Sequence, residues 1–355
     1  MNVLYLGHYR EDSALGYSSR RYVSALQNIP NIELSIRPVY LQTKTFNYIS
    51  ESILEAESNT SDSYVAVIQD TMPEYYEYNA SFGKNICVPK IISRKLNHTG
   101  WIEKINMMDE VWVNSFFAEK SLRESGVDKL IKVLPEPFDL DIDVKEKLST
   151  DKEFNFYTMS SSSDKDNLIA LLIAYISEFD KTDRTRLIIK TNGEDEVEIK
   201  TLMYSAYRIV KKTSENINEP IIIMGDLDEG KIKELLNNTD CYIDVSKGSY
   251  TTSSCIEALI YKRICIVTEG TANASYVTNA NGFVVDSKEE NIMSACKYST
   301  HNISNIYETW NNPNIQSIRS KMREAYYLSN DERKNKIDKI DAEIFNNKKF
   351  SRYIA

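Results

Sequence analysis

Short apolar runs recur along the chain, each followed by a polar loop and then by a stretch whose apolar positions repeat at helical spacing. Asn2 to Leu6 reads as a buried first strand, followed by Gly7 and the polar loop HYREDSALGYSS. Tyr22, Val23, Ala25 and Leu26 then begin a helix. Ile32 to Ile36 and Tyr64 to Ile68 are further strands, the second running into Gln69-Asp70-Thr71 at a carboxyl edge. Asp109 to Val113 is another. Asn114-Ser115 supplies an N-cap for a helix from Phe116 to Glu124, and Gly126 suits the position just past its end. Ile131 to Leu134 and Pro135 close this half, and the acidic stretch DLDIDVKEKLSTDKE after it reads as a linker.

The alternation then restarts. Phe154 to Thr158 is a strand, Ser160 to Asp166 a loop, and Leu168, Leu171, Leu172, Tyr175 and Phe179 mark one helical face. Strand Leu187 to Lys190, a helix around Val197 to Val210, strand Ile221 to Met224 and a helix with Ile232, Leu235 and Leu236 follow. Next comes DCYIDVSKGSYTTSSCIEALIYKRICIVT: strand Cys241 to Val245, loop Ser246 to Ser253, a helix carrying Glu257, and strand Ile264 to Val267. Gly282 to Val285 is a last strand. Helices are expected over Glu289 to Lys297, Asn314 to Tyr327 and Asp331 to Phe345. Strands alternating with helices twice over predict an α/β protein of two facing, doubly wound domains. The expected division is residues 1–148, completed by 331–355, and residues 149–330.

At 355 residues, with 42% hydrophobic and 27% charged residues, the composition is that of a globular chain with two cores. Formal charge is −9. Residues 1–148 hold 16 basic and 21 acidic side chains, and residues 149–355 hold 27 and 31, so neither half is a basic module. That argues against a nucleic-acid partner. No apolar run approaches a membrane span, and a cytoplasmic location is expected. A peripheral contact at the inner membrane face stays open, though no clear basic amphipathic helix supports it. Five cysteines without CxxC spacing read as core thiols, and three histidines make no metal cluster. The loop after the first strand contains Gly16 but lacks the GxGxxG fingerprint, so a nicotinamide enzyme is not supported.

Three stretches, in order and spacing, resemble the two-domain GT-B glycosyltransferases, especially retaining family 4. They are DEVWVNSFFAEKSLRESGVDKLIKVLPEPFD, then FNFYTMSSSSDKDNLIALLIAYISEF with RLIIKTNG, and DCYIDVSKGSYTTSSCIEALIYKRICIVTEG. The likeness covers residues 105–285 well and the N-terminal third loosely. It implies the GT-B fold, with two Rossmann-like domains and a C-terminal helix returning to the first. It implies a nucleotide-sugar donor, UDP- or GDP-linked, bound as co-substrate by the second domain, with no cofactor and no metal. It further implies a glycan, lipid-linked or protein acceptor on the first domain, and homo- or hetero-oligomers stay open.

The resemblance also assigns residues. Glu257 falls where the family's carboxylate meets the ribose hydroxyls, and an acidic residue in the first turn of a helix would also suit its dipole. Tyr250, Thr251 and Thr252 lie where loop amides approach phosphate and sugar. Gly225, Asp226 and Leu227 fall at the nucleobase position, and Gly16 matches the glycine whose N–H approaches the donor phosphates. Asp70 and His98 are candidates for acceptor contacts. The chain departs from the pattern at Ser249, where a sugar-binding glutamate is usual, and at Tyr250 and Thr252, which replace glycines. The phosphate-binding arginine and lysine positions read Ser161 and Asp166, leaving Lys165 displaced by one and Lys190 as the preferred substitute cation. These losses motivate an alternative: a degenerate GT-B subunit that serves as a partner or glycan-binding scaffold. A sugar-nucleotide epimerase would need several placed acid–base groups, which three scattered histidines do not provide.

Overall fold

The apolar runs fold into two parallel six-stranded sheets in a computed structural model that describes residues 1–41, 49–97, 99–144, 153–191, 196–225, 227, 229–294, 297–298, 301–302 and 307–354. The first sheet is built from β1 (Asn2–Gly7), α1 (Ala14–Gln27), β2 (Glu33–Pro38), α2 (Glu51–Ser58), β3 (Ala66–Asp70), β4 (Asn85–Cys87), α3 (Thr99–Asn106), β5 (Glu110–Val113), α4 (Phe116–Glu124) and β6 (Leu130–Val133). Its order is β2-β1-β3-β4-β5-β6. The second contains β7 (Phe154–Met159), α5 (Leu168–Glu178), β8 (Thr185–Thr191), α6 (Glu196–Val210), β9 (Ile221–Met224), α7 (Glu229–Asn238), β10 (Cys241–Asp244), α8 (Ser253–Ile260), β11 (Ile264–Thr268) and β12 (Phe283–Val285). Its order is β12-β11-β10-β7-β8-β9.

Each sheet is apolar on both faces, as helix-covered parallel sheets must be. In the second, Phe156, Leu171, Ile189 and Ile243 pack on one side, and Tyr242, Ile256, Leu259 and Cys265 on the other. Strand order reverses between β1 and β3 in the first sheet and between β7 and β10 in the second. Crevices form at such switch points, outside the carboxyl ends of the strands.

Local chemistry sets the boundaries. α4 begins where Ser115 Oγ accepts the Ala118 N–H, and its end leads into Gly126 at φ +98°, a conformation that favours glycine. α1 starts eight residues before the expected Tyr22, because Ser13 caps it by accepting the Gly16 N–H. The apolar pattern had predicted no element over α2, β4 or α3.

After β12 the chain departs from expectation. Where a helix is expected over Glu289 to Lys297, the described residues hold strands instead: β13 (Ser287–Asn291), then two-residue β14 (Lys297–Tyr298) and β15 (His301–Asn302), with β16 (Thr309–Pro313) pairing antiparallel to β13. Cross-strand side chains favour this ribbon. Thr309 Oγ1 donates to Glu289 at 2.6 Å, and Trp310 Nε1 and Asn312 Nδ2 donate to Glu290 at 3.0 and 2.9 Å. The ribbon crosses to the first half. Trp310 and Ile292 sit in a cluster with Ile91, Ile92 and Trp101, Ser93 and the Asn97 N–H donate to Glu308, and the Arg94 N–H donates to the Thr309 carbonyl at 2.8 Å.

α9 (Ile315–Tyr327) follows as expected, but the tail breaks. α10 (Asn330–Ile337) ends at Asp338, a 3-10 turn spans Ala342–Phe345, and α11 is Ser351–Ile354. Ile340 and Phe345 pack on the second sheet, whereas Phe350 packs beside Tyr22 on the first, with ring centroids 5.8 Å apart. The returning tail is thus present. We expect Trp310→Ala to cost about 3–5 kcal/mol in urea denaturation; a loss below about 1 kcal/mol would mean that the ribbon merely lies on the surface.

Candidate active site

A cavity of about 1070 Å³ opens between the carboxyl edges of the two sheets. The first half contributes Asp12 and the start of α1, including Tyr17, Arg20 and Arg21. The second contributes the loops after β7 and β10, the end of β8, and the N-terminus of α8. These loops are tied together: the Lys247 N–H donates to the Lys165 carbonyl at 2.8 Å, and Asn167 Nδ2 donates to the Val245 carbonyl at 3.3 Å. Of the residues singled out in the sequence, Ser161, Lys165, Lys190, Leu227, Ser249, Tyr250, Thr251, Thr252 and Glu257 line this cavity.

Three others do not. Gly16 lies inside α1, its N–H held by Ser13 Oγ at 3.0 Å. A Cβ there would stand 2.0 Å from the Glu11 carbonyl oxygen, so this glycine allows a close backbone approach. Asp70 is wholly buried, paired with Lys90 and accepting from Tyr5 Oη and from Ser19 Oγ at 3.0 Å. Burial opposes its charge most strongly, yet Lys90, Tyr5 and His8 together outweigh it and hold the carboxyl below its usual range. Gly225 makes the turn after β9 at φ +74°, outside the cavity wall. His98 and Asp226 lie outside the described residues.

The cavity's charges are mostly engaged. Lys165 pairs with Asp166 and lies 5.7 Å from the centre of the Tyr250 ring. Burial works against its ammonium, but Asp166 and then Tyr250 outweigh it and raise its pKa. Asp166 also accepts from the Ser161 N–H at 3.2 Å, so the serine at the arginine position supports the loop. Lys190, 4% exposed at the end of β8, donates to the Thr191 carbonyl at 3.2 Å. Ser249 Oγ donates to the Thr251 carbonyl at 2.6 Å and is thereby used within its own loop. The Tyr250 carbonyl accepts from Asn114 Nδ2 at 3.1 Å, and its ring packs on the first-half core.

The N-terminus of α8 lines the cavity. Its first internal bond is Ile256 N–H to the Thr252 carbonyl, so the amides of Ser253, Ser254 and Cys255 have no partner within the helix. Thr252 Oγ1 is buried without a hydrogen-bond partner among the described residues. Glu257 is not in the first turn; it is the fifth residue of α8, which removes the dipole reading. Its Oε1 instead accepts from Arg21 Nη2 at 2.6 Å, while Arg21 Nη1 donates to Glu136 at 2.7 Å.

Sequence reasoning missed Arg21, Glu136 and Asp244. Arg21 fell one residue before the helix was read to begin. Glu136 lay unremarked in PEPFD. Asp244 is the last residue of β10, accepting from the Ser246 N–H at 3.0 Å and Asn273 Nδ2 at 2.7 Å. Burial raises its pKa.

No protein-family model matches the chain, and neither does any curated sequence. Solved structures do. Anabaena HepE in complex with UDP and glucose is similar over 100% of this chain and 98% of its own, with TM-score 0.66 and 11% identity. Sucrose-phosphate synthase from Thermosynechococcus elongatus is similar over 100% and 97%, with TM-score 0.66 and 10% identity. The chain has the GT-B fold. TarM is similar over 79% of this chain, TM-score 0.54 and 15% identity, and the chain spans about half (53%) of TarM's length.

Among the described residues of this GT-B chain, no group of three or more His, Cys, Asp or Glu could hold a metal ion. No helix among them is long and apolar enough to cross a membrane. Cys87, Cys241, Cys255 and Cys265 are buried free thiols, and Cys296 lies outside the described residues. Gly16→Ala is expected to lower stability by about 2 kcal/mol or more in urea denaturation, through overpacking against Glu11. Unchanged stability with lost nucleotide affinity would instead restore Gly16 as a phosphate contact.

Proposed function

We propose that this chain is a glycosyltransferase moving a sugar from a UDP- or GDP-linked donor to a hydroxyl acceptor, with retention and without metal. The observation that carries the reading is the convergence, at the carboxyl edge of the second sheet, of Glu257, the N-terminal amides of α8 and Lys190 on one cavity. Its volume suits a nucleotide sugar. A leaving diphosphate would meet those amides, the Thr252 hydroxyl and the two lysines, and the Glu257 carboxylate would accept from the ribose. HepE and a TarM point mutant from S. aureus, both solved in complex with UDP, support a uridine nucleotide as the first donor to try. On this reading residues 149–330 form the donor-binding domain. Residues 1–148 form the acceptor domain, tied to the other by segment 331–355. The acceptor is a glycan, a lipid-linked sugar or a protein, handled as a family 4-like transferase would handle it.

The pairing of Lys165 with Asp166, and the use of Ser249 within its own loop, favour a second reading. A subunit that has lost chemistry would keep the nucleotide half of the site and serve as a scaffold.

Incubation with a panel of UDP- and GDP-sugars, read as nucleotide release, separates the two. Release from at least one donor is expected. Glu257→Gln should then weaken nucleotide affinity about 10- to 100-fold, the worth of hydrogen bonds to a charged group. Tight binding with no release from any donor would select the scaffold, and neither binding nor release would sink both. Ser249→Glu should not raise turnover, because Ser249 is committed to holding Thr251; a large gain would show a site that is only weakened.

A further inference from the structure

Glu257 lies on α8 in the second half of the chain, but its carboxylate is held from α1 in the first. Arg21 places one end of its guanidinium on Glu257 Oε1 at 2.6 Å and the other on Glu136 Oε1 at 2.7 Å. The face of the guanidinium lies 3.9 Å from the centre of the Phe138 ring. Glu136, wholly buried, is fixed further by Ser253 Oγ, which lies 2.7 and 2.8 Å from its two carboxylate oxygens. So a helix and a loop of the first half grip both Glu257 and the first residue of α8. The planar fork of arginine can hold two carboxylates at a set angle, which a lysine cannot. Burial disfavours the Arg21 cation, yet Glu257 and Glu136 more than restore it.

The chemistry of the cluster indicates what it receives. It holds two carboxylates on one guanidinium. The Glu257 carboxylate lines the cavity with its side chain 29% exposed. A carboxylate accepts up to about four hydrogen bonds and suits neutral donors such as sugar hydroxyls. We propose that Arg21 is a positioning residue for the nucleotide: by fixing Glu257 against Glu136 it makes the ribose hydroxyls of the donor a requirement for tight binding, and it couples nucleotide affinity in the second half to α1 of the first. This rests on the nucleotide reading of Glu257. Arg21 touches neither sugar nor phosphate.

The test is a cycle between Arg21 and the ribose, measured by calorimetry with UDP and 2′,3′-dideoxy-UDP, or the guanosine pair if the wild-type protein takes GDP. Because Arg21→Met alone leaves Glu136 buried with its charge unpaired, the double variant Arg21→Met with Glu136→Gln is measured beside it. In the wild-type protein, loss of the two hydroxyls should weaken binding at least about tenfold. In both variants that penalty should fall to about threefold or less, with dideoxy-UDP bound as in the wild type. Arg21→Lys should recover little of the penalty. An undiminished penalty in a folded variant would make Arg21 merely structural and overturn the proposal. Equal loss of both ligands would make it a phosphate contact and also overturn it. Wild-type protein that binds neither UDP nor GDP would overturn the nucleotide reading itself, which distinguishes that failure from failure of the coupling.

Discussion

A site shared by two sheets exists only while their carboxyl edges face each other, and here a single guanidinium spans that gap. Arg21 meets a buried carboxylate on its own side and a half-buried one across the cleft. A buried ion pair adds little net stability, because desolvating its charges offsets the attraction. What it does contribute is geometry: losing Arg21 would leave the buried Glu136 charge without this cation. A second set of contacts closes the interface elsewhere. There the β13–β16 ribbon carries Trp310 into the first half, and Lys247 lies 4.9 Å from the centre of that ring. Gly248 belongs to this closure too, since a Cβ at that position would stand 2.4 Å from the Ile92 carbonyl oxygen. The loop that precedes α8 is therefore held from both ends.

Electrostatics divide the cavity. Glu257 brings a carboxylate to the wall, and the N-terminal amides of α8 and Lys190 bring donors to it. Lys165 is the weaker candidate for meeting phosphate, because Asp166 already neutralises it. Asp244 adds a carboxyl whose burial favours the protonated form, bounded by Asn273 and Ser246. A donor bound here would find hydroxyls and amides where a carboxylate at position 249 would otherwise stand. That is a physical reason to expect a changed orientation or identity of the donor sugar.

The strands and their alternation with helices were legible because buried parallel strands are short apolar runs, and Phe116–Glu124 and Ile221–Met224 emerged with the expected bounds. What was not legible was long-range. The ribbon at Ser287–Asn291 is polar and gains its form from cross-strand partners and from burying Trp310, none of which leaves a local period. The start of α1 was hidden by the polar run ALGYSSRR, and Arg21 was hidden with it. The loop residues from Ser249 to Thr252 were placed at the cavity by motif. Ser249 turns inward onto Thr251, two residues on, whereas the bond that draws Tyr250 toward the first half comes from Asn114, far away in the chain. Gly16 resembled a phosphate glycine in position, yet its amide is a capped helix N–H.

The most direct measurement is a crystal structure of the protein soaked with a UDP-sugar or a GDP-sugar. The account predicts density in the cleft, the ribose hydroxyls within hydrogen-bond distance of Glu257, Arg21 still bridging to Glu136, and the diphosphate at the amides of Ser253 to Cys255. A nucleotide bound elsewhere, or one whose ribose faces away from Glu257, would contradict it.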